Sequence, residues 1–356
     1  MKEAICILLF AALPLSAQET WPVPDWTVAA PESQGLKAEP LQEITDAIRS
    51  GVHGNIHSLL VVRNGVLVWE DYFGSGDQEA RHTLQSVTKS FASAAVGIAI
   101  GREDIPGVET PILDFFPDYP EPDNLDDRKR AIRLRDLLTM RSGTDYHENG
   151  PDSPHLQLNA TRTGWDRFYL DRPMVRDPGE HYQYDSGGVI LLSAILQRRT
   201  GLHADRYLES HLFEELEITD TDWFRNDEMH PHTGGGLALR SRDMAKFGLL
   251  YLRQGRWEDD QVVPRNWVEE SFEEHVDLRY LGRPDITGYG YLWWIMRPDP
   301  DGDGGTPIYA ARGFMGQYIF VIPEHRMVVV STGRNMDSKA GDAPRFLYSH
   351  ILKSVH

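Results

Sequence analysis

The chain has little cysteine, a deficit of positive charge and few long hydrophobic runs. Cys6 is the only cysteine among 356 residues, so an intrachain disulfide and a cysteine–metal cluster are both excluded. The formal net charge is −18, which is opposite to the basic footprint that nucleic-acid binding requires. We therefore expect neither a disulfide scaffold nor a nucleic-acid partner.

The compact hydrophobic run from Ala4 to Leu15 stands between Lys2 and the small residues Ser16–Ala17. A short apolar core followed by small residues is typical of a cleaved secretory signal, and the run is shorter than the about 20 residues that cross a bilayer. The segment predicts a signal peptide at 1–17 and a periplasmic or secreted protein without Cys6. A short membrane anchor is the alternative, and no membrane span is predicted elsewhere.

Two hydrolase signatures and two metal patterns are missing or incomplete. Neither His-Glu-x-x-His nor Gly-x-Ser-x-Gly occurs, so a zinc protease and an α/β-hydrolase are unsupported. His230 and His232 lack a third ligand at helical spacing and are predicted to be a surface pair. Asp299, Asp301 and Asp303 lack the closing glutamate of a calcium loop and are predicted to form an exposed turn. We expect no metal and no organic cofactor.

Hydrophobic periodicity and turn residues predict strands at both ends of the chain and helices between them. The predicted elements are a helix at Ala38–Arg49, a hairpin around Asn64–Gly65, helices at Ser86–Gly101, Ile132–Met140, Val189–Arg199 and Leu239–Leu252, strands at Tyr309–Arg312, Tyr318–Ile322 and Met327–Thr332, and a helix at Ala343–Leu352.

This order indicates an α/β (α+β) fold in which terminal strands form one antiparallel sheet flanked by helices. Residues 18–103 and 233–356 would form the sheet domain, and residues 104–232 an inserted, mainly helical domain. Ligands commonly bind where two domains meet. We therefore expect a cleft between the two parts.

The tetrapeptide Ser86-Val87-Thr88-Lys89 opens the apolar stretch from Phe91 to Ile100. Residues three apart lie on one face of a helix, so the amine of Lys89 can reach the hydroxyl of Ser86. A buried lysine can lose its proton and act as a base, which turns a serine into a nucleophile. The pattern alone is short, and a helix-capping serine beside a solvent-exposed lysine fits it as well.

Two later segments add groups suited to the same chemistry. Tyr184 begins the tripeptide Tyr-Asp-Ser, and a tyrosine beside a lysine ammonium can have a lowered pKa and pass protons. Gly313 lies on a C-terminal strand, where glycine lets a substrate or another backbone approach closely. A backbone amide there can complete an oxyanion hole with Ser86.

The order of these motifs resembles the serine β-lactamase and penicillin-binding protein superfamily. It is most similar to the class C-related esterases and amidases, which include 6-aminohexanoate-dimer hydrolase. The resemblance covers residues 30–350 and is carried by the segments Ser86–Lys89, Leu137–Gly143, Pro178–Leu192, Gly234–Ala245 and Ala310–Gln317.

The resemblance implies a role for each matching residue. Ser86 would be the nucleophile, Lys89 its base and Tyr184 the catalytic tyrosine, while the backbone amides of Ser86 and Phe314 would form the oxyanion hole. The residues expected to contact the substrate are Ser186, which stands where many members have asparagine, together with Tyr146, Arg312 and Gly313.

The third motif departs from the family pattern. The triplet Ala311-Arg312-Gly313 lacks the leading lysine or histidine that recognises the carboxylate of β-lactams in this superfamily. Arg312 can replace that cation, or strand alternation can point it to the other face. The favoured prediction is a serine hydrolase of small amides or esters. A D,D-peptidase or β-lactamase and a catalytically vestigial binding protein are the alternatives, and the oligomeric state is not predicted.

Overall fold

The structure, a computed structural model, describes residues 19–283, 285–297, 305–336 and 342–356. The predicted signal peptide with Cys6, and the predicted acidic turn at Asp299, Asp301 and Asp303, lie outside the described residues.

The helices account for most of the middle of the chain. In chain order, the α-helices are α1 (Ala38–Arg49), α2 (Thr88–Gly101), α3 (Asp127–Ala131), α4 (Leu134–Leu138), α5 (Pro154–Ala160), α6 (Trp165–Leu170), α7 (Ser186–Thr200), α8 (Ala204–Leu208), α9 (Ser241–Leu252), α10 (Arg265–Phe272) and α11 (Asp342–Phe346).

The strands come mainly from the two ends. They are β1 (Ile56–Arg63), β2 (Val66–Tyr72), β3 (Arg81–Thr83), β4 (Asp222–Trp223), β5 (Leu237–Arg240), β6 (Arg256–Trp257), β7 (Asp260–Gln261), β8 (Val276–Asp277), β9 (Gly288–Tyr289), β10 (Trp294–Met296), β11 (Ile308–Gly313), β12 (Gln317–Ile322) and β13 (Met327–Gly333).

Eight strands form one antiparallel sheet in the order β2-β1-β13-β12-β11-β10-β9-β8. The N-terminal hairpin therefore pairs with the C-terminal strands, with Val61 opposite Val329. This confirms the predicted fold class. Helices α3 to α8 lie in the chain between these two sets of strands, and the division into two domains stays a prediction.

The sheet is buried on both faces, which explains why β1 is an unbroken apolar run. Leu60 and Val62 belong to the core that contains α2, α7 and α9, whereas Leu59 and Val61 belong to the core that contains α1. Successive side chains of a strand point to opposite faces. A run of four apolar residues therefore fills both cores at once.

Most predicted elements are found, with differences at their ends. The helix at Ala38–Arg49 and the hairpin around Asn64–Gly65 are confirmed. Two helices are shorter than predicted, because the Asp136 side chain accepts from the amide of Arg133 at the start of α4 and residues 237–240 pair as β5 before α9 begins. Among the described residues, no helix is long and apolar enough to cross a membrane.

Candidate active site

Ser86 and Lys89 lie together where α2 begins. Ser86 sits in a short 3₁₀ turn at Gln85–Val87 that leads into α2, and the preceding Gln85 has a positive φ of 52°. The Nζ of Lys89 donates to the Oγ of Ser86 at 2.9 Å and to the carbonyl of Gly234 at 2.6 Å. The Lys89 amine therefore contacts the Ser86 hydroxyl, as predicted. The alternative, in which Lys89 points into solvent, is wrong.

Lys89 is 1 % exposed, and its surroundings weaken its hold on a proton. Burial lowers the pKa of Lys89 to about 8, while the charges of Glu148 and Asp185 act in the opposite direction. A group with this pKa is mostly protonated at pH 7, with about a tenth in the neutral form. Lys89 can thus supply a base near neutrality, which an exposed lysine does not.

Tyr184 lies over the same lysine. Its ring centroid is 5.0 Å from the Nζ of Lys89, and the ring stacks on Trp294. Burial and then the charge of Glu148 raise the pKa of Tyr184, while the interaction with the Ser86 hydroxyl and the charge of Arg312 act in the opposite direction. The expected lowering of the Tyr184 pKa is wrong, because burial outweighs the interaction with Ser86 and the charge of Arg312. The phenol is neutral and suited to donating a proton.

Asp185, next to Tyr184, holds this segment in place. Its carboxylate accepts hydrogen bonds from the hydroxyls of Tyr169 at 2.5 Å and Ser142 at 3.0 Å, and from the amide of Gly188 at 2.8 Å. The last of these caps the N-terminus of α7. Burial raises the pKa of Asp185 to about 6 despite these bonds. Asp185 thereby fixes the backbone on which Tyr184 is carried.

Strand β11 closes on the residues before Ser86 through Gly313. A Cβ at Gly313 would lie 2.3 Å from the carbonyl oxygen of Leu84, so only glycine allows this approach. The group that approaches Gly313 is therefore the backbone of Leu84, and not a substrate. Phe314 follows at the cavity mouth and is 54 % exposed. The oxyanion-hole role of the Ser86 and Phe314 amides stays a prediction.

A cavity of about 920 Å³ opens above Ser86. Its strand wall consists of Trp294, Arg312, Gly313, Phe314 and Tyr318, and its helical wall of Glu148, Asn149, His155, Asn159 and Ser186. This volume is in the range of small-molecule sites. The cavity lies between the sheet and the helical part of the chain, which is where the cleft was expected.

Arg312 lines the cavity, and its charge is already paired. Its Nη1 donates to Asp285 at 3.0 Å, and its guanidinium lies over the rings of Trp294 and Tyr318 at 5.4 and 5.5 Å. Arg283 is 3.7 Å from the same carboxylate. Arg312 therefore points into the cavity, but a substrate carboxylate would have to compete with Asp285 for it.

Ser186 and Tyr146 differ in where they lie. Ser186 lines the cavity at the start of α7. Tyr146, which was predicted to contact the substrate, is 1 % exposed and lies behind the wall against Gly187, with its hydroxyl 3.0 Å from the Nδ1 of His155. This placement corrects the expectation. Nearby, Trp294 lines the cavity, whereas Trp165 and Trp293 are buried.

His232 is the second corrected position. His232 is buried and lines the cavity, and its Nε2 lies 3.0 Å from the Oδ1 of Asn159. The prediction that His232 lies on the surface with His230 is therefore wrong. Burial, helped by the charge of Lys89, lowers the pKa of His232 to about 3. The residues that the structure describes contain no group of three or more side chains that could hold a metal ion.

Sequence reasoning missed Glu148 and the backbone of Gly234. The Oε1 of Glu148 accepts a hydrogen bond from the amide of Ser186 at 3.0 Å on the cavity wall, and Gly234 accepts from Lys89. A single loop glutamate has no periodicity that would single it out. The glycine run at 234–236 was noticed as a family-like segment, but its carbonyl contact was not foreseen.

Comparisons with known proteins agree with this geometry. The chain matches the Beta-lactamase family over residues 45–346. It is 24 % identical over 290 residues to the 6-aminohexanoate-dimer hydrolase of Paenarthrobacter ureafaciens, covering 77 % of this chain and 71 % of the relative.

Two solved structures share the fold. EstCE1, a hydrolase with promiscuous acyltransferase activity, superposes with a TM-score of 0.74 at 16 % identity, covering 88 % of this chain and 98 % of EstCE1. The penicillin-binding protein of Bacillus halodurans gives 0.65 at 18 % identity, covering 88 % and 99 % of the two chains. Because the family match extends across most of the described sheet and helices, this chain is a serine hydrolase belonging to the beta-lactamase family.

Proposed function

We propose that the protein hydrolyses small amides or esters through an acyl-enzyme on Ser86. The observation that carries this proposal is the 2.9 Å hydrogen bond between the buried Lys89 and Ser86 at the floor of the cavity. A lysine with a pKa of about 8 has a neutral fraction that can accept the serine proton. The similarity to a 6-aminohexanoate-dimer hydrolase supports the same reaction class.

The steps follow from the positions of three side chains. Neutral Lys89 takes the proton of Ser86 as its Oγ attacks the substrate carbonyl, and the amides of Ser86 and Phe314 stabilise the oxyanion. Tyr184, whose phenol burial keeps neutral and whose ring lies beside the Lys89 amine, donates its proton to the leaving nitrogen or oxygen and regains one from the Lys89 ammonium. Water then attacks the acyl carbon and gives a proton to the same pair; as the bond between the acyl carbon and the Ser86 Oγ breaks, the pair returns a proton to Oγ, and the acid product leaves.

The cavity favours neutral acyl groups over carboxylates. Its mouth carries Phe224 and Phe314, which are 56 % and 54 % exposed, and its guanidinium at Arg312 is paired with Asp285. These features support an amide or ester hydrolase over a D,D-peptidase or β-lactamase. The presence of all three reactive side chains speaks against a vestigial binding protein. Under the same proposal the enzyme is exported, since its N-terminus resembles a signal peptide.

The first prediction tests the nucleophile. A fluorophosphonate probe should label the native protein, and Ser86→Ala should lose labelling together with turnover of p-nitrophenyl esters and short amides. Ser93→Ala, which removes a buried hydroxyl two turns further along α2, is the matched control and should keep both. Full turnover by Ser86→Ala would reject the proposal, and stable acylation of Ser86 by penicillin, seen as a mass shift, would favour the D,D-peptidase or β-lactamase alternative.

A further inference from the structure

We propose that Glu148 is a positioning residue of this site, which acts on the catalytic lysine through its negative charge and on the Tyr184–Ser186 segment through a hydrogen bond. The inference deepens the proposed function and rests on it. Glu148 would thereby determine the pH at which Lys89 becomes an effective base, without touching the reacting atoms.

The carboxylate of Glu148 is anchored to the N-terminal end of a helix. It accepts from the amide of Ser186 at 3.0 Å, and Ser186 is the first residue of the fifteen-residue helix α7. The first amides of a helix have no intrahelical partner and carry partial positive charge. This bond therefore holds a negative charge on the cavity wall, two residues after Tyr184.

A short series of contacts connects that charge to the lysine. A Cβ at Gly234 would lie 3.2 Å from the carbonyl oxygen of Ser186, so the two backbones are in close contact. The carbonyl of the same glycine accepts from the Nζ of Lys89 at 2.6 Å. In the described part of the chain, the hydrogen bonds of the Lys89 Nζ go to Ser86 and Gly234, and neither partner is Glu148. Glu148 therefore acts through space and leaves the lysine free to face Ser86.

The other titratable groups around Lys89 are neutral, already paired, or not part of the cavity wall. Asp185 carries three hydrogen bonds of its own and is not part of the cavity wall. His155 and His232 are neutral near pH 7, because burial lowers the pKa of each. Tyr184 is a neutral phenol, and Arg312 is paired with Asp285. Glu148 is thus the negatively charged side chain that lines the cavity beside the lysine.

The sign of the effect follows from Coulomb's law. A nearby negative charge favours the ammonium form of Lys89, and the pKa of Lys89 is held up by Glu148 more than by any other charge. In the free enzyme, Glu148 therefore restrains the base that the reaction needs. Removing the charge of Glu148 should therefore extend activity to lower pH. This gain distinguishes the proposed role from simple damage to the cavity wall, which would reduce activity.

The second prediction separates the charge from the hydrogen bond. Glu148→Gln keeps an oxygen that can accept from Ser186 but removes the charge, so the acid limb of kcat/KM should move from near pH 8 to lower pH. A shift of about one unit makes the variant about tenfold faster than the native enzyme at pH 6. Glu148→Ala should show the same shift together with a lower kcat at every pH, because the Ser186 amide loses its partner.

Asp152→Asn is the matched control, since it removes one negative charge from an exposed position on the same loop, and its pH profile should stay native. Titration of the Lys89 amine by ¹⁵N NMR, assigned with Lys89→Met, gives a second readout that needs no turnover. An equal Lys89 pKa in Glu148→Gln and Asp152→Asn would overturn the inference. Retention of turnover by Ser86→Ala would instead reject the proposed function, and the NMR titration would still decide the role of Glu148.

Discussion

The two walls of the cavity are built differently. The strand wall is held by the backbone ladder of β10, β11 and β12, and its cation Arg312 is paired with Asp285 at 3.0 Å. The helical wall is held by hydrogen bonds between side chains. The two ring nitrogens of His155 lie 3.0 Å from the hydroxyl of Tyr146 and from the Nδ2 of Asn159. Its carboxylate, Glu148, is bonded to a backbone amide.

This difference indicates which changes each wall can absorb. A sheet backbone resists displacement, so an added atom on the strand wall should act through shape. A wall built from side-chain hydrogen bonds and an unneutralised carboxylate should respond to changes of charge. The reactive lysine lies between the two walls, and its environment depends on both.

The third prediction, with the largest expected effect, concerns Lys89 itself. Lys89→Met should lower kcat/KM by about 10³-fold or more, because the reaction loses its base. Lys246→Met is the matched control, since Lys246 is also buried and donates to the carbonyl of Leu216 at 2.8 Å but lies outside the cavity. Both variants are measured by their kinetics with p-nitrophenyl acetate. Comparable losses of kcat/KM would show that removing any buried lysine damages the enzyme, and that Lys89 is not a specific base.

The same variant should be more stable than the native enzyme at neutral pH. The folded protein lowers the pKa of Lys89 from 10.5 to about 8, so protonated Lys89 destabilises the fold at every pH below 8. We expect Lys89→Met to gain about 2 kcal/mol at pH 7 after its lost hydrogen bonds are deducted. The gain should shrink as the pH rises from 8 to 10.5, and denaturant unfolding at both ends of that range measures it.

The sequence could predict the parts of this site that carry a local pattern. The spacing of three residues between Ser86 and Lys89 allowed their contact, although the tetrapeptide alone left a solvent-exposed lysine open. Strand alternation and turns predicted β11, β12 and β13 almost to the residue. Each of these features depends on residues that are close in sequence, so the sequence pattern of one element is enough to predict it.

The rest depends on contacts between distant segments. Glu148 accepts from an amide 38 residues away, and Arg312 is paired with a carboxylate 27 residues away. Tyr146 was misplaced because its burial is decided by Gly187 on another element. The pKa of Tyr184 was predicted with the wrong sign, because the cost of burial cannot be judged before the packing is known.

The fourth prediction uses one added methyl group to compare the strand wall with the glycine run beside the opposite wall. Gly313→Ala should lower kcat/KM by about 100-fold, because its Cβ would lie 2.3 Å from the carbonyl of Leu84 and displace the segment that carries Ser86. Gly235→Ala adds the same methyl group to the cavity, but its nearest neighbour is 3.7 Å away. It should cost only a few-fold, and equal losses measured with one ester would mean that the strand wall is no more rigid than its counterpart.

The fifth prediction, the smallest, tests whether Asp285 withholds Arg312 from substrates. Asp285→Asn removes the negative charge shared by Arg312 and Arg283, so a carboxylate on the substrate no longer competes for the guanidinium. We expect acylation by nitrocefin to become about tenfold faster, which corresponds to about 1.4 kcal/mol, with hydrolysis of p-nitrophenyl acetate within twofold of native. Asp277→Asn, an exposed carboxylate paired with Arg279 at 3.0 Å, is the control. If the double variant with Arg312→Ala keeps the gain, Arg312 is not the group that Asp285 restrains.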